Sequence, residues 1–148
     1  MNFIVLIFGI TIAVFVIYRF KKRGLERTKW TYPLFLATFP LYYLAFALYG
    51  LDYDALMGEL IVGSFFVFIA LIAYKYNNYQ TLFLLGSGYI AHAVYDIVHE
   101  DIFHNKGTPK WWPEFCGSVD IVMGGYIIYL GILKYKQFKR LKNSTECA

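Results

Sequence analysis

The sequence is poor in charged residues and in cysteine. Of its 148 residues, 16% are charged and two are cysteines. Paired cysteine motifs, glycine-rich phosphate loops and the motifs His-Glu-x-x-His and Gly-x-Ser-x-Gly are all absent from it. These absences argue against an enzyme that uses a dinucleotide or ATP.

Apolar residues dominate instead: 59% of the chain is hydrophobic and 21% aromatic, with a mean hydropathy of +0.48. This composition indicates a membrane protein, because a helix needs about 20 apolar residues to cross roughly 30 Å of hydrocarbon. We expect an all-α, polytopic membrane bundle of five transmembrane helices, with no separate soluble domain. The apolar stretches cover about residues 3–18, 32–49, 55–74, 81–98 and 116–133, and a basic tail, 134–148, follows them.

The charges between these stretches predict their orientation. Six basic residues follow the first stretch and five follow the last, and such basic segments stay in the cytoplasm. The loop with Asp52 and Asp54 carries no cation. We therefore predict an outside amino terminus and a cytoplasmic carboxyl terminus in a multi-pass protein of the cell (inner) membrane. The net charge of +4 suits contact with anionic lipid, and nucleic acid is not an expected partner.

Polar residues in the fourth stretch are the main candidates for function. His92, Asp96 and His99 are spaced i, i+4 and i+7, so they share one face of a helix. Two imidazoles and a carboxylate in lipid are costly, and ionisable residues inside membranes are functional by default. The set predicts a metal site or an acid–base pair. The alternative is a hydrogen-bond network that only holds helices together.

Two more carboxylates are predicted at the same depth in the membrane as Asp96. Glu59, Asp96 and Asp120 each lie about four residues from an outer helix end, which is about 6 Å below the boundary. His92 lies one turn deeper, and His99 lies at the rim, where water is expected to reach it. We predict a pocket that opens outward, in which Glu59, Asp96 and Asp120 lie at one depth and His92 forms the floor. Whether His99 belongs to it stays open.

The remaining candidates are in or next to the loop between the fourth and fifth stretches. Trp111 and Trp112 either anchor this loop at the lipid headgroups or cover the site as a lid. Cys116 is either a thiolate ligand or a small packing residue, and no disulfide with Cys147 is expected because that residue is predicted on the other side of the membrane. The role of His104 stays open.

The last two stretches resemble a set of small bacterial integral membrane proteins of unknown function. The resemblance is carried by His92-x-x-Tyr-Asp96-x-x-His99, followed by Pro109-x-Trp-Trp-Pro-x-x-Cys-x-x-x-Asp120. It implies that Asp120 acts together with His92 and Asp96. It implies nothing about the substrate or the reaction.

The leading hypothesis is a membrane-embedded enzyme that acts on a lipophilic substrate. A divalent metal, zinc or non-haem iron, would be bound by His92, Asp96, His99, Asp120 and Glu59. The same carboxylates and His92 would carry out proton transfer if no metal is bound.

Two other classes of function remain open. A metal or proton sensor or transporter would use the same residues, but the cytoplasmic halves of the stretches are almost wholly apolar, so that a complete pathway requires a homo-oligomer. A structural or accessory subunit would use the polar residues only to fix helix packing.

Overall fold

The chain forms a bundle of long helices. The computed structural model describes residues 2–102 and 104–146, so that Cys147 lies outside the described residues. These ranges contain no strand, and all five helices are long and apolar enough to span a membrane, which confirms the predicted fold class. The helices are α1 (Phe3–Lys22), α2 (Thr31–Tyr49), α3 (Tyr53–Tyr76), α4 (Tyr79–Ile102) and α5 (Trp112–Glu146), and a short 3-10 turn covers Leu25–Arg27. The predicted orientation stays a prediction.

Local side-chain chemistry sets several helix ends. Asn2 and Asp52 cap α1 and α3, each accepting a hydrogen bond from a first-turn amide, as short polar side chains do at this position. Gly24, just after α1, and Asn77, just after α3, have positive φ angles of 70° and 40°. These left-handed residues turn the chain sharply away from the helix axis. At the same end of the bundle α5 has no such break and continues through the predicted basic tail to Glu146.

Small residues allow the helices to approach each other closely. Gly117, Gly124 and Gly131 of α5 all face α4, and a β-carbon on Gly124 would lie 2.9 Å from the carbonyl oxygen of Gly86. Gly63 of α3 makes a similar approach to Pro40 of α2. Close backbone packing of this kind stabilises helix pairs in lipid, where the hydrophobic effect does not drive association. It aligns α4 against α5 along most of their length.

Two loops meet at the end of the bundle that holds the candidate residues, here called the capped end. Gly50 packs directly against Gly107, and the ammonium group of Lys106 lies 3.9 Å from the carboxylate of Asp52. The other end, the basic end, carries the Leu25–Arg27 turn and the charged part of α5. Large apolar side chains cover the outer surface between the two ends.

Candidate metal centre

Helices α4 and α5 each present two potential metal ligands to the interface between them. His92 and Asp96 lie one turn apart on α4, and Cys116 and Asp120 lie one turn apart on α5. Residues four positions apart share a helix face, which directs each pair toward the opposite helix. All four residues are at most 2% exposed. We call them the α4–α5 cluster.

The ligand atoms of the α4–α5 cluster lie within 4.8 Å of one another. His92 Nδ1 is 2.8 Å from Asp120 Oδ2 and 3.5 Å from Asp96 Oδ2. The sulfur of Cys116 is 3.9 Å from Asp120 Oδ2. An imidazole, a thiol and two carboxylates at these distances form a group that could hold a metal ion.

Several atoms of this cluster lack hydrogen-bond partners within the described ranges. They are His92 Nε2, Asp96 Oδ2 and Asp120 Oδ1, and all three are buried. A buried polar atom without a partner costs about 1–3 kcal/mol, and two ionised carboxylates at this distance also repel each other. A cation bound between Asp96 and Asp120 would give the unpaired carboxylate oxygens a partner and offset the repulsion between the two groups.

Tyr43 of α2 fixes the orientation of one carboxylate. Its hydroxyl donates a 2.7 Å hydrogen bond to Asp96 Oδ1, which leaves Asp96 Oδ2 on the side of His92. Tyr43 is fully buried. The sequence did not indicate this residue, because no local motif distinguishes it from the other thirteen tyrosines.

Aromatic rings enclose the imidazole of His92. The ring of Phe66 packs edge-on against it at 4.7 Å between centroids, and that of Phe39 lies at 5.5 Å. These contacts come from α3 and α2. They limit the rotation of the imidazole and keep water away from it.

A second polar group, the α3–α4 cluster, surrounds Glu59. Its members are Glu59, Tyr95, His99 and Asn105. The Tyr95 hydroxyl donates to Glu59 Oε2 at 2.6 Å, and His99 Nε2 lies 2.6 Å from Glu59 Oε1. The amide nitrogen of Asn105 donates to Glu59 Oε1 at 3.3 Å and to the backbone oxygen of Tyr43 at 3.1 Å. The two carboxylate oxygens of Glu59 are therefore both paired.

The structure divides the predicted site between the two clusters. His92, Asp96 and Asp120 come together. His99, one turn after Asp96 on α4, pairs instead with Glu59 of α3. The expectation that His99 lies at a solvated rim is wrong, because this residue is 1% exposed. Its ring stacks on Tyr43 at 4.2 Å between centroids.

The loop after α4 covers the capped end. Asn105 is 6% exposed and reaches inward to the α3–α4 cluster, whereas His104 next to it is exposed. Trp112 packs on Tyr42 and Phe46 of α2. Trp111 is 48% exposed. The two tryptophans thus differ in environment, and Trp112 is the one that closes the capped end.

A cleft of about 540 Å³ borders the α4–α5 cluster at Asp96. Asp96 is the only member of the cluster among the residues that line it. The outer walls are formed by Ile97, Glu100, Lys110, Pro113 and Glu114. The cleft therefore has mixed polar and apolar walls and lies next to a buried member of the cluster.

Comparison with models of known protein families, with curated proteins and with solved structures gives no match for this chain. The resemblance of its last two spans to small bacterial membrane proteins accordingly stays a prediction. The function must be inferred from the geometry of the site.

Proposed function

We propose that the protein is a membrane-embedded metal enzyme. The α4–α5 cluster binds one divalent ion, zinc in the first instance, and a lipophilic substrate reaches it through the cleft. One observation carries the proposal: a nitrogen, a sulfur and two carboxylate oxygens from two helices lie within 4.8 Å of one another in a buried site. Zinc sites use all three of these ligand types.

The distances between the ligands support a tetrahedral site. Zinc bonds of about 2.0–2.3 Å place tetrahedral ligands roughly 3.3–3.8 Å apart. His92 Nδ1 and Asp96 Oδ2 are 3.5 Å apart, and Cys116 Sγ and Asp120 Oδ2 are 3.9 Å apart. The 2.8 Å between His92 and Asp120 is a hydrogen-bond length, so a small rotation of either side chain brings this pair into range.

The role of the neighbouring Tyr43 is to orient a metal ligand. Tyr43 occupies one oxygen of Asp96 and so holds the other toward the cluster, which is how outer hydrogen bonds orient ligands. A bound ion would supply activation of a water molecule or polarisation of a substrate oxygen. With four protein ligands around the ion, a substrate oxygen would have to enter as a fifth ligand, which zinc can accept. Asp96, the ligand that lines the cleft, is the residue beside which it would enter.

The cleft suggests an amphiphilic substrate. Lys110, Glu100 and Glu114 give the cleft polar character, and Ile97, which also lines it, is 74% exposed. A molecule with a polar group in the cleft and an apolar part in the bilayer fits these walls.

The first experiment is a determination of the metal content of the protein purified in detergent. We expect about one zinc per chain, and less than a tenth of that in His92→Ala and Cys116→Ser. His104→Ala, which removes an exposed histidine, is the matched control and should keep its metal. Cobalt substitution should produce a thiolate charge-transfer band that Cys116→Ser abolishes. If the purified protein contains about one iron per chain instead of zinc, the metal site is supported and only the identity of its metal changes.

A metal-free acid–base enzyme is the second candidate, and the 2.8 Å contact between His92 and Asp120 favours it. A histidine paired with a carboxylate is a common acid–base unit. Metal content below a tenth of an equivalent after growth in metal-replete medium would overturn the metal site and leave this candidate.

Catalysis itself requires a separate test. The wild type and Asp120→Asn would be incubated in nanodiscs with a membrane lipid extract, and the lipids compared by mass spectrometry. We expect a lipid to be consumed by the wild type alone. Unchanged lipids with fully metal-loaded wild type would reject an enzyme that acts on these lipids while leaving the metal site in place.

A further inference from the structure

The basic end of the bundle contains a cavity of its own. It has a volume of about 250 Å³ and lies between the Leu25–Arg27 turn, the end of α3 and the middle of α5. Leu85, the lining residue of α4 nearest to the metal centre, precedes His92 by seven residues, which corresponds to about 10 Å along the helix axis. The cavity is therefore separate from the metal centre.

Three cations line this cavity: Arg27, Lys29 and Lys134. They come from three places in the sequence, the 3-10 turn, the segment before α2 and α5. Their convergence is thus a product of the fold and not of a basic run. It places a concentrated positive charge at the mouth of a concave, partly apolar space.

The two lysines are held in position by neighbours. The ammonium group of Lys134 donates to the backbone oxygen of Asn77 at 2.5 Å, and that of Lys29 lies 4.7 Å from the ring centroid of Tyr74. Both contacts leave further N–H donors of each ammonium group for a ligand, because a lysine carries three. Preorganised cations lose little side-chain entropy when they bind an anion.

The one acid among the described residues that line the cavity is Glu26, and its carboxylate is engaged elsewhere. Glu26 Oε2 accepts hydrogen bonds from the hydroxyls of Tyr126 at 2.5 Å and Tyr32 at 3.4 Å. It therefore does not neutralise the cations by direct contact. An excess of positive charge remains available to an anion from outside.

The inner wall of the same cavity is apolar. Leu82, Leu85 and Leu130 line it, together with Pro33 and Ala73. A free anion would gain nothing from these side chains, whereas the glycerol and upper chain region of a lipid would bury apolar area against them. Basic pockets between membrane helices are known to accept anionic lipid headgroups.

We propose that this cavity is a binding site for an anionic phospholipid, with its phosphate at Arg27, Lys29 and Lys134. The occupant is recognised by a phosphate group joined to an apolar body. The site works independently of the metal centre and of any reaction there.

The test uses the full chain in a neutral detergent and counts bound lipids by native mass spectrometry. The probe is dioleoyl phosphatidylglycerol, with dioleoyl phosphatidylcholine as the neutral comparison. Arg27→Ala/Lys29→Ala removes two of the cations and leaves the Lys134 contact with Asn77 intact. Lys21→Ala/Lys136→Ala is the matched control, because it removes two exposed charges from the same end outside this cavity.

We expect the wild type and the control to bind phosphatidylglycerol more tightly than phosphatidylcholine, and the Arg27→Ala/Lys29→Ala variant to lose about thirtyfold in affinity for it. Equal binding of the two lipids by the wild type would overturn the proposal, as would equal losses in both double variants. Inorganic phosphate forms the last arm. If it displaces the lipid at micromolar concentration, the site recognises free phosphate and the lipid assignment is wrong; failure to displace it supports the lipid.

Discussion

His92 of α4 and Asp120 of α5 approach to 2.8 Å across the interface of the two helices, and both side chains are buried. The contact lies within the candidate metal centre and joins α4 to α5, two helices that pack closely against each other. Each residue is the nearest polar partner of the other. Removal of one side chain therefore leaves the other buried without this partner. This relationship makes the pair a sensitive point for stability as well as for binding.

Asp120→Ala is expected to lower the free energy of unfolding by about 3 kcal/mol, the cost of breaking a buried charged or hydrogen-bonded pair. The measurement is equilibrium unfolding in mixed micelles. Asp101→Ala removes an exposed carboxylate from the end of α4 and should change the stability by less than about 0.5 kcal/mol. Similar losses in both variants would show that the contact with His92 is not the cause.

Tyr43→Phe should weaken zinc binding without abolishing it. The substitution removes only the hydroxyl that donates to Asp96, and loss of such an outer hydrogen bond typically lowers metal affinity about 10- to 100-fold. Competition with a fluorescent zinc chelator measures the change. Tyr42→Phe provides the control, since this adjacent tyrosine is 46% exposed. Unaltered affinity in Tyr43→Phe would contradict the assignment of Asp96 as a ligand.

The two polar clusters should respond differently to substitution. His99→Ala removes the partner of Glu59 and is expected to cost about 3 kcal/mol of stability while the metal content stays at one per chain. Metal analysis and unfolding of the same preparation test both statements. Metal loss in this variant would restore His99 to the ligand set predicted from the sequence.

The helices were predictable because the length of an apolar run directly reflects the thickness of the membrane. The spacing of His92, Asp96 and His99 also correctly placed them on one side of α4. It could not reveal which neighbour each residue meets. On that side α4 contacts α5 near His92 and α3 near His99, so that His92 meets Asp120 whereas His99 meets Glu59.

Residues brought in by tertiary structure were beyond local reasoning. Tyr43 and Asn105 lie 53 and 46 positions from their carboxylate partners, and neither stands in a recognisable motif. The burial of His99 has the same origin, because Tyr43 stacks on its ring and Asn105 closes the adjoining loop. Cys116 carried a weak signal, its spacing of four residues from Asp120, which is compatible with ligation and with packing.

The close contact of α2 and α3 can be tested with a pair of glycines. A β-carbon on Gly63 would lie 2.8 Å from the β-carbon of Pro40, whereas one on Gly125 would meet nothing within 4 Å. Gly63→Ala should therefore cost about 1–3 kcal/mol through overpacking. Gly125→Ala should leave the stability unchanged or raise it by up to about 1 kcal/mol, since alanine favours the helix. Thermal unfolding that ranks the two variants in the opposite order would refute this packing.

Removal of the metal should destabilise the wild type and leave a ligand-deficient variant unaffected. A ligand that binds only the folded state at a concentration 100 times its dissociation constant adds about 2.7 kcal/mol to the free energy of unfolding. Dialysis against EDTA should thus lower the unfolding midpoint of the wild type, and added zinc should restore it. Cys116→Ser, which lacks the thiolate, should show the same midpoint before and after dialysis. If dialysis against EDTA leaves the unfolding midpoint of the wild type unchanged, the α4–α5 cluster is stable without a cation. The hydrogen bond between His92 and Asp120 would then be sufficient to hold it.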